Sequence, residues 1–296
     1  MIKVRVPATS ANMGPGFDSI GIALSLYNTF TFEEIPRGVE IISYDERFNN
    51  EDNLVYLSMI KTMEKVGHKV GGIRITIESE IPVSRGLGSS AACIIGGVLG
   101  ANELADSPLT KDEILKIATN IEGHPDNVAP ALFGGLVTSI MEGKEILHNQ
   151  ISVAKGLEFV ALIPDLTLST SRARSVLPKK IKYEDAVFNV SRVALMISAL
   201  SNGDFQLLKY GLQDRLHQPY RSKLIPDFNM IMDICIENDS LGTFLSGAGP
   251  TVMALTNDFD GDFTNRLQKK LNNLRNKWTI KELKIDQQGS VIFHGD

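Results

Sequence analysis

Pro82-Val83-Ser84-Arg85-Gly86-Leu87-Gly88-Ser89-Ser90-Ala91-Ala92 stands between the clearest strand pattern in the chain and a long Ala-, Ile- and Leu-rich run. Upstream, Ile73, Ile75 and Ile77 alternate with Arg74, Thr76 and Glu78, the period-two signature of a half-buried strand over 73–79. Downstream, Ser90 to Ala105 reads as a buried helix. Gly86 and Gly88 lack Cβ, so the backbone between the two elements can turn tightly and approach a ligand closely. The N–H groups of the loop and the free N–H groups and positive dipole end of the helix then converge on one spot. A phosphate is the natural occupant. Ser89 and Ser90 add hydroxyls that suit a phosphate or Mg²⁺. No Lys follows the glycines, which excludes a Walker loop, and no G-x-G-x-x-G with a later acidic residue is present. Taken alone, the stretch is also compatible with a serine-capped turn.

Outward from this loop, the chain reads as mixed helices and hairpins. Strands are expected over 2–6, 20–34, 134–140 and 157–163. Helices are expected from an Asp52 cap to Gly67, from a Thr110/Glu113 capping box to Glu122, and over 183–201, 228–239 and 259–276. Hairpins are expected over 241–256 and 278–294. The polar stretch 141–157 reads as irregular, which places a domain boundary near 150 and gives units 1–150 and 151–296. No regular βαβ alternation occurs, so the fold class is α+β and not a doubly wound sheet.

The composition is ordinary. Of 296 residues, 43% are hydrophobic and 22% charged, with a formal net charge of -5, which gives no general attraction to nucleic acid or an anionic membrane. Two cysteines in no metal-like spacing argue against a disulfide framework or a zinc site. The alternating N-terminus is unlike a signal peptide, and no run of ~18 uncharged apolar residues appears. The expectation is a cytoplasmic protein with no nucleic-acid or membrane partner.

Three further segments are rich in chemistry. Pro7-Ala8-Thr9-Ser10-Ala11-Asn12-Met13-Gly14-Pro15-Gly16-Phe17-Asp18 is either a self-bonded loop or an acceptor site in which Asn12 and Asp18 take polar groups. Glu122-Gly123-His124-Pro125-Asp126-Asn127-Val128-Ala129-Pro130 puts a carboxylate at a helix C-terminus, against the dipole. A surface Glu tolerates that placement, and a Mg²⁺ ligand explains it. Ser246-Gly247-Ala248-Gly249-Pro250 is either a plain hairpin turn or a place where backbone approaches an anion.

Together these motifs resemble the superfamily of galactokinase, homoserine kinase, mevalonate kinase and phosphomevalonate kinase. The strings at 7–18 and 124–130 are similar to those of the homoserine kinase family. The resemblance implies a two-domain α+β fold, with an N-terminal domain like domain 2 of ribosomal protein S5 and a ferredoxin-like C-terminal domain. It implies ATP and Mg²⁺, L-homoserine as acceptor, O-phospho-L-homoserine as product on the way to threonine, and a homodimer. It places ATP on residues 82–92 and Mg²⁺ on Ser90 and Glu122. It places the acceptor on Asn12, Asp18, His124, Arg174, Arg221 and Gly247, with Asn127 orienting the acceptor hydroxyl and Thr170 and Arg174 near the transferred phosphate and the acceptor carboxylate. Arg174 and Arg221 are expected to fork onto the acceptor carboxylate. Asn127 cannot take a proton and Asp126 is expected to face away, so no side-chain base is expected. A sugar or isoprenoid kinase of the same superfamily and a non-catalytic nucleotide-binding module are the competing readings.

Overall fold

A computed structural model describes residues 1–258 and 261–295. The first half contains β1 (Ile2–Ala11), β2 (Ile20–Glu34), β3 (Gly38–Ser43), α1 (Leu54–Val66), β4 (Gly72–Ser79), α2 (Ser89–Leu104), α3 (Lys111–Glu122), α4 (Pro125–Phe133), β5 (Leu136–Glu142) and β6 (Glu145–Ile151). The second half contains β7 (Glu158–Pro164), α5 (Thr170–Ser175), α6 (Tyr183–Asn202), α7 (Leu208–Gly211), α8 (Gln218–Arg221) and α9 (Phe228–Glu237). It ends with β8 (Gly242–Leu245), β9 (Val252–Thr256), α10 (Asp262–Leu271), β10 (Trp278–Leu283) and β11 (Val291–His294).

Two sheets organise these elements. The larger has the path β11-β1-β2-β4-β3, with β5 on β2 and β6 on β5. Strand β2 is long enough to serve two partners on one edge, β4 at Asn28–Glu34 and β5 at Ile20–Ile22. The smaller is the antiparallel order β10-β7-β9-β8. Strand β7 shows why the two halves adhere. Phe159, Ala161 and Ile163 join the core of the large sheet, while Val160 and Leu162 face a second core with Phe228, Phe263 and Trp278. Period-two alternation thus buries both faces of one strand.

Helix α2 is held close to the large sheet. A Cβ at Gly96 or Gly100 would strike the rings of Phe30 and Phe32, and one at Gly97 would strike the Val55 carbonyl of α1. Each helical glycine costs roughly 1 kcal/mol relative to alanine. Full burial of Phe30 and Phe32, at 0% and 1% exposure, returns roughly 1.5–3 kcal/mol each. This close packing fixes where the N-terminus of α2 points.

Several sequence expectations change. The cap of α1 is Asn53, whose side chain accepts from Val55 N, and not Asp52. Residues 145–151 are not irregular but pair with β5 as strand β6, antiparallel from Leu136 opposite Ile151 to Glu142 opposite Glu145. The stretch 278–294 is not a hairpin. Its first strand, β10, pairs with β7 in the small sheet, and its last, β11, returns to β1 in the large one. Strand β3 and helices α4 and α5 were not foreseen. The segment after Gly123 opens α4, with His124 as its cap and Pro125 at its first position, where the missing N–H is no loss. The capping box of Thr110 with Glu113 and the 241–256 hairpin are present. The first two residues of the 259–276 helix lie outside the described residues; α10 begins at Asp262. Among the described residues, no helix is long and apolar enough to cross a membrane.

Candidate active site

The glycine motifs assemble against one another at the mouth of a cleft of about 260 Å³. Gly88 has φ 71° and immediately precedes α2; a Cβ there would strike the Thr9 hydroxyl. Gly86 has φ 77°, and its Cβ would strike the carbonyls of Ser246 and Gly249. Their small size therefore lets three loops touch, as well as leaving room for a ligand. Ser246 Oγ donates to Gly86 O at 2.5 Å and lies 2.7 Å from Ser10 Oγ. Thr9 N donates to Leu87 O, Thr251 N to Arg85 O and Gly247 N to Ala11 O. The segment 246–251 is a hairpin turn, and at the same time a wall of the cleft.

Within the first turn of α2, Ser90 Oγ donates to Glu122 Oε2 at 2.6 Å. Burial raises the carboxyl of Glu122 above its ordinary range, partly offset by the Ser90 bond and the charge of His124. Among the described residues, no group of three or more His, Cys, Asp or Glu could hold a metal ion. One carboxylate and one hydroxyl beside a helix N-terminus fit Mg²⁺, which takes the rest of its oxygen shell from phosphates and water.

Beyond Ser90 the cleft is charged. Asp18 and Arg174 form two parallel hydrogen bonds, 3.0 and 2.7 Å. Asn12 is buried, with a left-handed φ of 69°. Its Nδ2 donates to Gly247 O at 2.9 Å, and its Oδ1 accepts from Asp18 N at 3.0 Å. Arg221 is 2% exposed; its Nε donates to Ala173 O and its Nη1 to Gly247 O. Burial and then the charge of Arg174 bring it down to about 10. Both guanidinium groups lie within 6 Å of the Phe17 ring centre, at 5.7 and 5.1 Å. Thr170, at the start of α5, also lines this end. The expected forks are thus already engaged: Arg174 forks onto Asp18, and Arg221 keeps only Nη2 without a protein partner among the described residues.

Asp126 does not face away. It is 2% exposed and lines the cleft, with Oδ1 2.5 Å from His124 Nδ1 and 3.3 Å from Asn127 Nδ2. Pro125 at the first position of α4 sets this helix start, which turns both neighbours of the proline inward. Asn127 Oδ1 accepts from Thr9 Oγ1 at 2.8 Å, which fixes the direction of its amide. Burial alone would lower His124, but the hydrogen bond and charge of Asp126 outweigh it and hold the ring above its ordinary value.

The opposite end of the cleft was missed in the sequence. Tyr44, Phe48, Asn53 and Leu54 line it with Val83. The signal was present as two exposed aromatics in the otherwise polar stretch 43–53, held in shape by Asp45 and Asn49, which cap and cross-link it.

The chain matches the models for the GHMP kinases N terminal domain at residues 53–135 and the GHMP kinases C terminal domain at 196–273. It is 54% identical over 292 residues to a homoserine kinase of Clostridium botulinum, covering 99% of this chain and 98% of that protein. It is 48% identical over 296 residues to a homoserine kinase of Clostridium beijerinckii, covering 100% and 99%. Among solved structures, homoserine kinase from Cytophaga hutchinsonii superposes with a TM-score of 0.85 at 28% identity, over 99% and 97% of the two chains. A mevalonate kinase at 18% identity shares the fold, with a TM-score of 0.74 over 97% and 99%.

Proposed function

This chain belongs to the homoserine kinases of the GHMP kinase family, and from that premise we propose that it transfers the γ-phosphoryl group of ATP to the hydroxyl of L-homoserine. The products are ADP and O-phospho-L-homoserine, an intermediate of threonine synthesis. The observation that carries the reading is the charge arrangement beyond Ser90. A carboxylate, Asp18, and two guanidinium groups, Arg174 and Arg221, converge on one end of a cleft whose middle is a helix N-terminus. A zwitterion with a hydroxyl two carbons from its charged centre matches that end; a neutral sugar does not.

Residues 82–92 and the first-turn N–H groups of α2 hold the ATP phosphates. The nucleoside lies toward Tyr44, Phe48 and Leu54. Ser90 and Glu122 would hold Mg²⁺, which when bound neutralises charge on the phosphate oxygens. The ammonium of homoserine competes with Arg174 for Asp18, and its carboxylate takes Arg174 in exchange, with Nη2 of Arg221 as a second donor. The acceptor hydroxyl lies against Asn127, whose amide orients it toward the γ-phosphorus. Thr170 and His124 flank the transferred group. Phosphoryl transfer of this kind is dominated by positioning and charge neutralisation. Asp126 Oδ1 is spent on His124 and Asn127, so its role is to hold those groups, and the hydroxyl proton leaves late, to the phosphate or water.

A coupled ADP-release assay with homoserine, mevalonate and galactose tests the reading. Turnover with homoserine alone is expected. Turnover with mevalonate or galactose and none with homoserine would overturn it.

A further inference from the structure

Behind the charged end lies a polar group of residues that never reaches the cleft. The carboxylate of Asp214 is fully buried. It accepts from the N–H groups of Leu216, His217 and Gln218 and from Asn189 Nδ2, at 2.9, 2.9, 2.6 and 2.7 Å. These bonds fix the start of α8, whose last residue is Arg221. His217 is itself fully buried, and its ring stacks on Phe17 at 5.2 Å between centres.

The tautomer of His217 follows from its partners. Nε2 lies 2.7 Å from Gly14 O. A carbonyl oxygen only accepts, so Nε2 carries the hydrogen and Nδ1 keeps its lone pair. That lone pair faces Arg221, whose Nη1 donates to it at 3.4 Å. The same guanidinium donates to Ala173 O at 3.3 Å and Gly247 O at 3.0 Å. Three acceptors from three elements therefore define its plane, and Nη2 is the corner left for a ligand. Two of the three are backbone carbonyls, which any side chain would preserve. His217 is the one acceptor that a substitution can remove.

We propose that His217 is a positioning residue for the acceptor's carboxylate: locked as the Nε2–H tautomer by Gly14, it turns Nδ1 onto Arg221 and so aims Nη2 into the cleft. The inference rests on the homoserine reading, which turnover by the unaltered protein tests separately. It assigns to a residue outside the cleft part of the preference for an amino acid over an amino alcohol.

Two substitutions divide the ring's functions. In His217→Asn, Oδ1 stands near the place of Nδ1 and keeps an acceptor for Arg221, while the Gly14 bond is lost. In His217→Gln, Nε2 keeps a donor for Gly14, while the acceptor is lost. The KM for homoserine is expected to rise roughly tenfold in the Gln variant and clearly less in the Asn variant, the scale of one hydrogen bond to a charged group. The KM for ATP should stay put in both. With L-2-amino-1,4-butanediol, homoserine whose carboxylate is reduced to an alcohol, the Gln variant should show no such rise. A larger defect in Asn than in Gln, or an equal defect with both acceptors, would overturn the proposal in favour of a brace for the 14–17 loop. If neither variant folds, imidazole ¹⁵N resonances of the unaltered protein decide. Homoserine should shift Nδ1 of His217 and the diol should not; an Nδ1–H tautomer would overturn the proposal.

Discussion

At one end of the cleft Tyr44 and Phe48 stand 71% and 37% exposed, beside Asn53, Leu54 and Val83. At the other end Asn12, Asp126 and Arg221 are 3% or less exposed and come from both halves of the chain. The first end offers apolar area and few fixed polar groups. The second is cross-linked before any ligand arrives, through Asp18 to Arg174, Asn12 to Gly247 and Arg221 to Gly247. The contrast teaches how the molecule divides selectivity. On the proposed reaction, a flat nucleobase would stack on a surface that costs little to assemble. A small charged acceptor would meet groups whose hydrogen bonds are already in place, so its shape and charge would be read at little reorganisation cost.

The contrast can be broken or sharpened by substitution. The largest effect is expected between the two ends: Glu122→Gln should lower kcat by roughly 10²–10³-fold, the range for losing one preorganised electrostatic contact in a transfer step. Single-turnover rates check this, and similar losses in the KM of either substrate would count against it. At the acceptor end, Asp18→Asn should reduce kcat/KM for homoserine by roughly 10²-fold, because two charge-assisted bonds and the ammonium partner go together. The KM for ATP should not follow; if it does, the two ends are not separate. Asp126→Asn should cost less than about 30-fold, mostly in homoserine KM, since it loosens His124 and Asn127. A loss of roughly 10³-fold in kcat with KM unchanged would make Asp126 the general base. At the nucleotide end, Tyr44→Ala should raise only the KM for ATP, by roughly five- to tenfold, the scale of one base–aromatic stack.

The smallest effect is on stability and belongs to the support of the acceptor end. Burial pushes His217 below its ordinary value, so below about pH 6.5 the unfolded chain binds a proton that the folded one resists. The stability it contributes is present above that pH and is lost as the pH falls. Thermal midpoints from about pH 7 to 5.5 should fall more steeply in the unaltered protein than in His217→Asn. Parallel curves would show that the ring titrates freely.

The same contrast explains what the sequence disclosed. The phosphate loop, the Thr110 capping box and β4 were legible because each is specified within about ten residues by periodicity, glycine and caps. The roles expected of Asn12, Asp18, Glu122, His124, Arg174 and Arg221 came through motif resemblance, and all six residues line the cleft. What failed was non-local. Residues 278–294 look like a hairpin, yet their two strands pair with β7 and β1 in different sheets, a choice made by tertiary packing. The direction of Asp126 depends on α4 beginning at Pro125, and the forks of Arg174 and Arg221 are engaged by groups more than a hundred residues away or by backbone carbonyls. Tyr44 and Phe48 carried no motif at all.

The most direct test of the account is a ³¹P NMR time course with Mg²⁺, ATP and L-homoserine. A phosphomonoester signal of O-phosphohomoserine should grow mole for mole with ADP. Growth of inorganic phosphate alone, or no change in the ATP signals, would contradict the assignment of the charged end of the cleft to the phosphoryl acceptor.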